Sequence, residues 1–123
     1  MARALPITLL ILAALAAAGC ARSDTKEVKG QVVTVKLTEY KLSPLTTYVK
    51  PGPVTIAAHN DGRLPHNVTV IRQGDVVVGR STTMNPGQRA TIKISLDPGT
   101  YRVLSSLSND DPLGINGYIV ARK

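Results

Sequence analysis

From residue 31 to the end of the chain, hydrophobic positions recur at every second residue in short runs separated by turn formers. In QVVTVKLTEY, Val33, Val35 and Leu37 alternate with Thr34, Lys36 and Thr38, the period of a strand with one buried face. Thr46 to Val49 is a short extended piece, closed by the turn Lys50-Pro51-Gly52-Pro53. Val54 to Ala58 alternates again and stops at the turn formers His59-Asn60-Asp61-Gly62. Asn67 to Arg72 and Val76 to Arg80 flank Gln73-Gly74-Asp75, which predicts a hairpin. Arg89 to Leu96 presents Ala90, Ile92, Ile94 and Leu96 on one face, then turns at Asp97-Pro98-Gly99, and Tyr101 to Ser105 and Gly117 to Ala121 supply the last two strands. About eight short strands with no helical periodicity after residue 20 predict an all-β protein, an antiparallel β-sandwich.

The first residues follow another pattern. Arg3, an apolar run from Leu5 to Leu15 and small residues ending at Cys20 read as a signal peptide, its apolar run too short for a stable membrane span. The junction Ala17-Ala18-Gly19-Cys20 resembles a bacterial lipobox, in which cleavage leaves the cysteine as a lipidated N-terminus, although Ala17 stands where leucine is preferred. Ordinary cleavage after Ala18 is the alternative. The expected organisation is a signal peptide over residues 1–19, a polar tether to the lipid anchor over residues 20–30 and one domain over residues 31–123. Cys20 is the sole cysteine, so no disulfide can form within the chain and the fold must rest on its core.

Composition narrows the function classes. The formal charge of +7 falls by one when Arg3 leaves with the leader, but the basic residues are spread from Arg22 to Lys123 with no block of five or six. Phe and Trp are absent and only four Tyr are present, so the stacking surfaces for bases are missing and nucleic acid is not an expected partner. No nucleophile elbow and no phosphate-binding glycine loop occurs, and no enzyme activity is expected. The adjacent Asp110 and Asp111 read as a solvated turn, Asn109-Asp110-Asp111-Pro112.

Three segments in order carry a family resemblance. VKLTEYKLSPLTTYVKPGPVTIAAHNDGRLPHNVTV, MNPGQRATIKISLDPGTY and YRVLSSLSNDDPLGING together resemble the cupredoxins, the blue copper proteins. The resemblance implies a Greek-key sandwich and a copper site built from one His in the first segment and a Cys, a His and a Met in the last loop. A type 1 centre needs two imidazoles, one thiolate and a weak axial donor. His66 matches the first imidazole and Asn67 the residue after it, whereas Ser105 stands at the cysteine position, Asp110 at the second histidine and Ile115 at the methionine. A serine hydroxyl is a hard donor, un-ionised near neutral pH, and no shift of alignment supplies a thiolate, because Cys20 precedes the first strand.

His66 is therefore expected to hydrogen-bond across the former ligand loop, with no resident cofactor. A hard or borderline ion held by His66 with His59, Asp110 or Asp111 is the competing reading, and copper the metal to test. Met84 has no second Met or His close in sequence and is expected to pack rather than to bind copper(I). The function expected is that of a monomeric, lipid-anchored binding or accessory module on the outside of a bacterial cell envelope, held to the membrane through Cys20 and serving an unidentified protein partner. A copper carrier using His66 is the alternative, ahead of electron transfer.

Overall fold

A computed structural model describes residues 24–28 and 30–123. Among them the chain forms β1 (Thr25–Glu27), β2 (Val32–Thr38), β3 (Lys41–Ser43), β4 (Thr46–Val49), β5 (Gly52–Asn60), β6 (Thr69–Arg72), β7 (Val76–Arg80), β8 (Arg89–Leu96), β9 (Gly99–Leu104), the short helix α1 (Asp110–Leu113) and β10 (Asn116–Ala121). A six-stranded sheet, in the order β1-β4-β10-β9-β6-β7, faces a four-stranded sheet, β3-β2-β5-β8.

The sandwich anticipated from alternation is what forms. Val33, Val35 and Leu37 of β2 point inward with Val54, Ile56 and Ala58 of β5, against Val70, Val103 and Ile119 from the facing sheet. Each such aliphatic side chain withdrawn from water contributes roughly 1.5–3 kcal/mol. The Gln73-Gly74-Asp75 turn joins β6 to β7 as an antiparallel hairpin, with Gly74 and Asp75 both at positive φ, 85° and 59°. Tyr101 closes the Asp97-Pro98-Gly99 corner, donating its hydroxyl to the Asp97 carbonyl at 2.8 Å.

Three features depart from expectation. The described residues hold ten strands rather than about eight, and the sheets are mixed: β2 pairs in parallel with β5, and β4 with both β1 and β10. The parallel pairing of β2 with β5 follows from the crossover between them, which first adds β3 beside β2 in the same sheet and then passes through β4 in the other sheet. The stretch expected to be a tether contains β1, whose side chains are exposed and whose place is fixed by backbone bonds, Thr46 N–H to the Asp24 carbonyl and Val28 N–H to the Tyr48 carbonyl, both 3.1 Å. Without a buried face it leaves no hydrophobic period to read. The expected signal peptide and Cys20 lie outside the described residues.

The ends of β2, β5 and β9 and the start of β10 meet at one end of the sandwich. The connections there carry Glu39, His66, Ser105 and Asp110.

Candidate functional site

β5 runs on past Ala58 through His59 and Asn60, because the ladder with β8 continues to the pair His59 and Arg89. Asn60, fully buried, then organises the following loop. Its Nδ2 donates to the carbonyls of Leu64 and Met84, each at 2.8 Å, and its Oδ1 accepts the Gly62 N–H at 2.9 Å. His66 is held by a reciprocal backbone bridge to Met84, 3.0 Å one way and 2.8 Å the other. Met84 is 1% exposed and packs in the main core.

On the facing side, Asn67 fastens the loop after β9. Its Oδ1 accepts the Ser106 N–H at 2.8 Å, its Nδ2 donates to Ser106 Oγ at 2.9 Å, and its backbone N–H donates to Ser105 Oγ at 3.2 Å. Ser105 N–H donates to the Ile115 carbonyl at 3.1 Å, and Ile115 N–H to the Asp110 carbonyl at 2.9 Å, so the loop closes on itself. A Cβ at Gly114 would press on the Tyr40 carbonyl, and Gly114 adopts a φ of 127°, so this position calls for glycine twice over.

The imidazole of His66 has no solvent exposure and lies between two carboxylates. Nδ1 is 2.7 Å from Asp110 Oδ2, and Nε2 is 2.6 Å from Glu39 Oε1. Ser105 Oγ donates to the same Asp110 Oδ2 at 2.6 Å. A carboxylate oxygen offers only lone pairs, so an imidazolium carrying both N–H groups satisfies both contacts at once. Three of the four positions matched to copper ligands, His66, Ser105 and Asp110, thus converge on one carboxylate oxygen, and the fourth, Ile115, is fully buried and aliphatic.

Asp110 is a correction to the sequence reading. Instead of a solvated turn it is 5% exposed, begins α1, and is the central acceptor of the network, because the hydroxyl of Ser105 and the ring of His66 supply the partners a buried carboxylate requires. Its neighbour Asp111 points outward to Arg102, with Nη2 at 2.9 and 3.0 Å from its two oxygens. His59 is not part of the site either. It lies on the solvent face of the four-stranded sheet, in register with Lys36 and Arg89, on the side of β5 opposite to the core residues Ala58 and Asn60.

Glu39 is the residue that sequence reasoning missed. Its Oε1 accepts from the backbone N–H groups of Arg63 and Leu64 at 2.9 Å each, and its Oε2 from Arg63 N–H at 2.9 Å. The Arg63 and Leu64 amides are the chief cause, with a smaller part from His66, that the Glu39 carboxyl is pulled down from its ordinary 4.5 to about 2, against the desolvation that raises it. A Cβ at Gly62 would collide with this carboxylate. In sequence Glu39 is only the acidic residue that ends an alternating strand, 27 positions from the imidazole it meets.

This donor set does not fit copper. The two carboxylates approach the imidazole from opposite edges and share no apex with it, the Ser105 hydroxyl is spent on Asp110, and no cysteine thiolate is present among the described residues. Among the described residues no group of three or more His, Cys, Asp or Glu is placed to hold a metal ion. Beside the network lies an open cleft of about 370 Å³ lined by Tyr40, Leu64, Pro65, Leu107 and Leu113, together with Ser108, Asn109 and an edge of Asp110.

A chain with this sandwich and this loop end is a cupredoxin in architecture, and comparison bears that out: the family model described as "Cupredoxin-like domain" matches residues 7–115. The chain belongs to that family. Among solved structures it is similar to the dithionite-reduced auracyanin of Roseiflexus castenholzii, with a TM-score of 0.71 at 15% identity over 78% of this chain and 100% of that one. It is also similar to auracyanin A, a "blue" copper protein of Chloroflexus aurantiacus, with a TM-score of 0.63 at 16% identity over 74% and 99% of the two chains. An azurin of Methylomonas sp. strain J gives a TM-score of 0.67 at 13% identity over 77% and 100%. No curated protein matches the sequence. At these identities the likeness is one of fold alone.

Proposed function

We propose that this chain is an extracytoplasmic, lipid-anchored cupredoxin-like domain in which a carboxylate–imidazole clamp stands in place of a type 1 copper centre, and that it acts as a binding or accessory module at the cell surface. The observation that carries the reading is the convergence of His66 Nδ1 and Ser105 Oγ on Asp110 Oδ2, at 2.7 and 2.6 Å. A carboxylate oxygen occupies the junction of the residues matched to the family's ligand positions, and every buried side-chain polar atom among the described residues has a partner. Copper would have to displace two short charge-assisted contacts to reach His66, and would then find no thiolate. Nor does the network present a nucleophile, since the Ser105 hydroxyl is buried and donates to a carboxylate rather than to the imidazole. What the end of the sandwich does present is a rim around a largely apolar cleft, suited to recognition.

The test is copper loading. Purified mature protein mixed with copper(II) is expected to give no intense absorption toward the red end of the visible spectrum and no reversible one-electron couple, and a blue product overturns the proposal. On the recognition side, association with isolated envelope material is expected to weaken in Leu113→Ser, which changes an exposed side chain of the cleft and leaves Asp110 in place.

A further inference from the structure

The direction in which the chain enters its fold joins two features that are otherwise separate. β10 leaves the His66 end, β4 runs parallel to β10, and β1 runs parallel to β4. Asp24, just before β1, is bonded through its carbonyl to Thr46 N–H at 3.1 Å, and Leu45, the residue before Thr46, accepts Tyr118 N–H at 2.8 Å. Asp24, the described residue that precedes β1, therefore lies toward the His66 end. Cys20 lies four residues before Asp24 in sequence, so the contour of the chain keeps the attachment point of a lipid carried on it within about 14 Å of the Asp24 backbone.

That same end carries Tyr40, Leu45, Leu64 and Leu113, four of the eight large hydrophobic side chains exposed among the described residues. Tyr40 is 43%, Leu45 46%, Leu64 48% and Leu113 53% exposed, and Tyr40, Leu64 and Leu113 surround the cleft. The acidic side chains nearby are engaged, Glu39 and Asp110 by His66, Asp111 by Arg102, and Asp61 by Lys36 at 3.8 Å. Lys41 and Arg63, both exposed beside the apolar residues, form no ion pair among the described residues. A tyrosine, several aliphatic side chains and flanking cations are the composition of a surface that settles at the boundary between lipid headgroups and acyl chains.

We infer that the His66 end of the sandwich docks onto the anionic bilayer that holds the anchor, with Tyr40, Leu64 and Leu113 at acyl depth and Lys41 and Arg63 at the headgroups. This rests on the lipid-anchored reading above and names the bilayer as the partner of the loop end. A tether of four residues keeps the face at high effective concentration over the membrane, so a weak intrinsic affinity suffices.

The chain lacks tryptophan, which provides a direct test. Leu113→Trp and Leu64→Trp at the His66 end, and Val76→Trp on the far edge strand, are made in the full-length chain and matured in a bacterial envelope. They are then reconstituted into phosphatidylglycerol–phosphatidylethanolamine vesicles bearing brominated acyl chains. All three positions are exposed, so the fold should tolerate the replacements. The expected result is a blue-shifted emission for the first two, quenched severalfold more than that of Val76→Trp. Equal quenching at all three positions, with Cys20 acylated by mass spectrometry, overturns the docking face and leaves the anchor intact. An unacylated Cys20 overturns the anchored reading and the inference with it. A blue shift that requires added envelope protein, or that follows chain concentration in the absence of lipid, assigns the face to a protein partner or to a second copy and equally overturns the bilayer.

Discussion

The two edges of the His66 ring are built differently. On the Nδ1 edge Asp110 is almost fully buried, belongs to the connection between β9 and β10 and shares its oxygen with the Ser105 hydroxyl. On the Nε2 edge the Glu39 side chain keeps 21% exposure, comes from the turn between β2 and β3, and draws most of its hydrogen bonds from the backbone of residues 63 and 64. One edge is a substitution within the family's frame, whereas the other recruits a residue the frame did not mark. Both ring nitrogens of His66 are thus closed off by carboxylates that need the same imidazole.

Removal of either carboxylate measures this asymmetry. Asp110→Ala strands a buried imidazole and a buried hydroxyl, and is expected to cost about 3–5 kcal/mol of unfolding free energy. Glu39→Ala opens an edge that water can reach and leaves the Arg63 and Leu64 amides to be solvated, so about 1–3 kcal/mol is expected. Urea midpoints near neutral pH for both variants decide the matter, and equal losses would mean that the two edges are energetically alike.

Acid titrates the Glu39 edge specifically. A carboxyl held at about 2 in the fold and at 4.5 when free binds its proton more readily in the unfolded chain. Its stabilisation is therefore complete above the free value and is lost as the pH falls through the folded one. The expected outcome is a decline in stability from about 4.5 down to about 2 that is shallower in Glu39→Gln. Superimposable acid profiles would show that the loop amides do not act on this carboxylate as the geometry implies.

The sequence made some of this legible and hid the rest for definable reasons. Alternation gave the sandwich because Val33, Val35 and Leu37, or Val54, Ile56 and Ala58, must share one buried face. The positions of His66, Ser105 and Asp110 were marked by resemblance, yet the burial of Asp110 was not, because Asn-Asp-Asp-Pro carries turn chemistry and its burial depends on the distant His66. β1 escaped notice since it is fixed by backbone bonds alone. His59 and Asn60 read as turn formers, but the ladder with β8 extends the strand over them, and Asn60 spends its turn-forming amide on the loop that follows. Glu39 had no local signature at all: its role exists only once β2 and the loop after β5 are side by side.

The sharpest control lies one residue from the site. Asp110 and Asp111 are chemically identical and adjacent at the start of α1, but Asp111 faces solvent at 32% side-chain exposure and pairs with an Arg102 that is 44% exposed. Two charges so placed are screened and pay side-chain entropy to meet, so Asp111→Ala is expected to change stability by no more than about 1 kcal/mol. The same urea titration reads it. A loss approaching that of Asp110→Ala would show that α1 as a whole, and not the contact of Asp110 with His66 and Ser105, holds this end of the sandwich together. A small loss, with Asp110→Ala large, assigns the stability to one carboxylate and the two groups it joins.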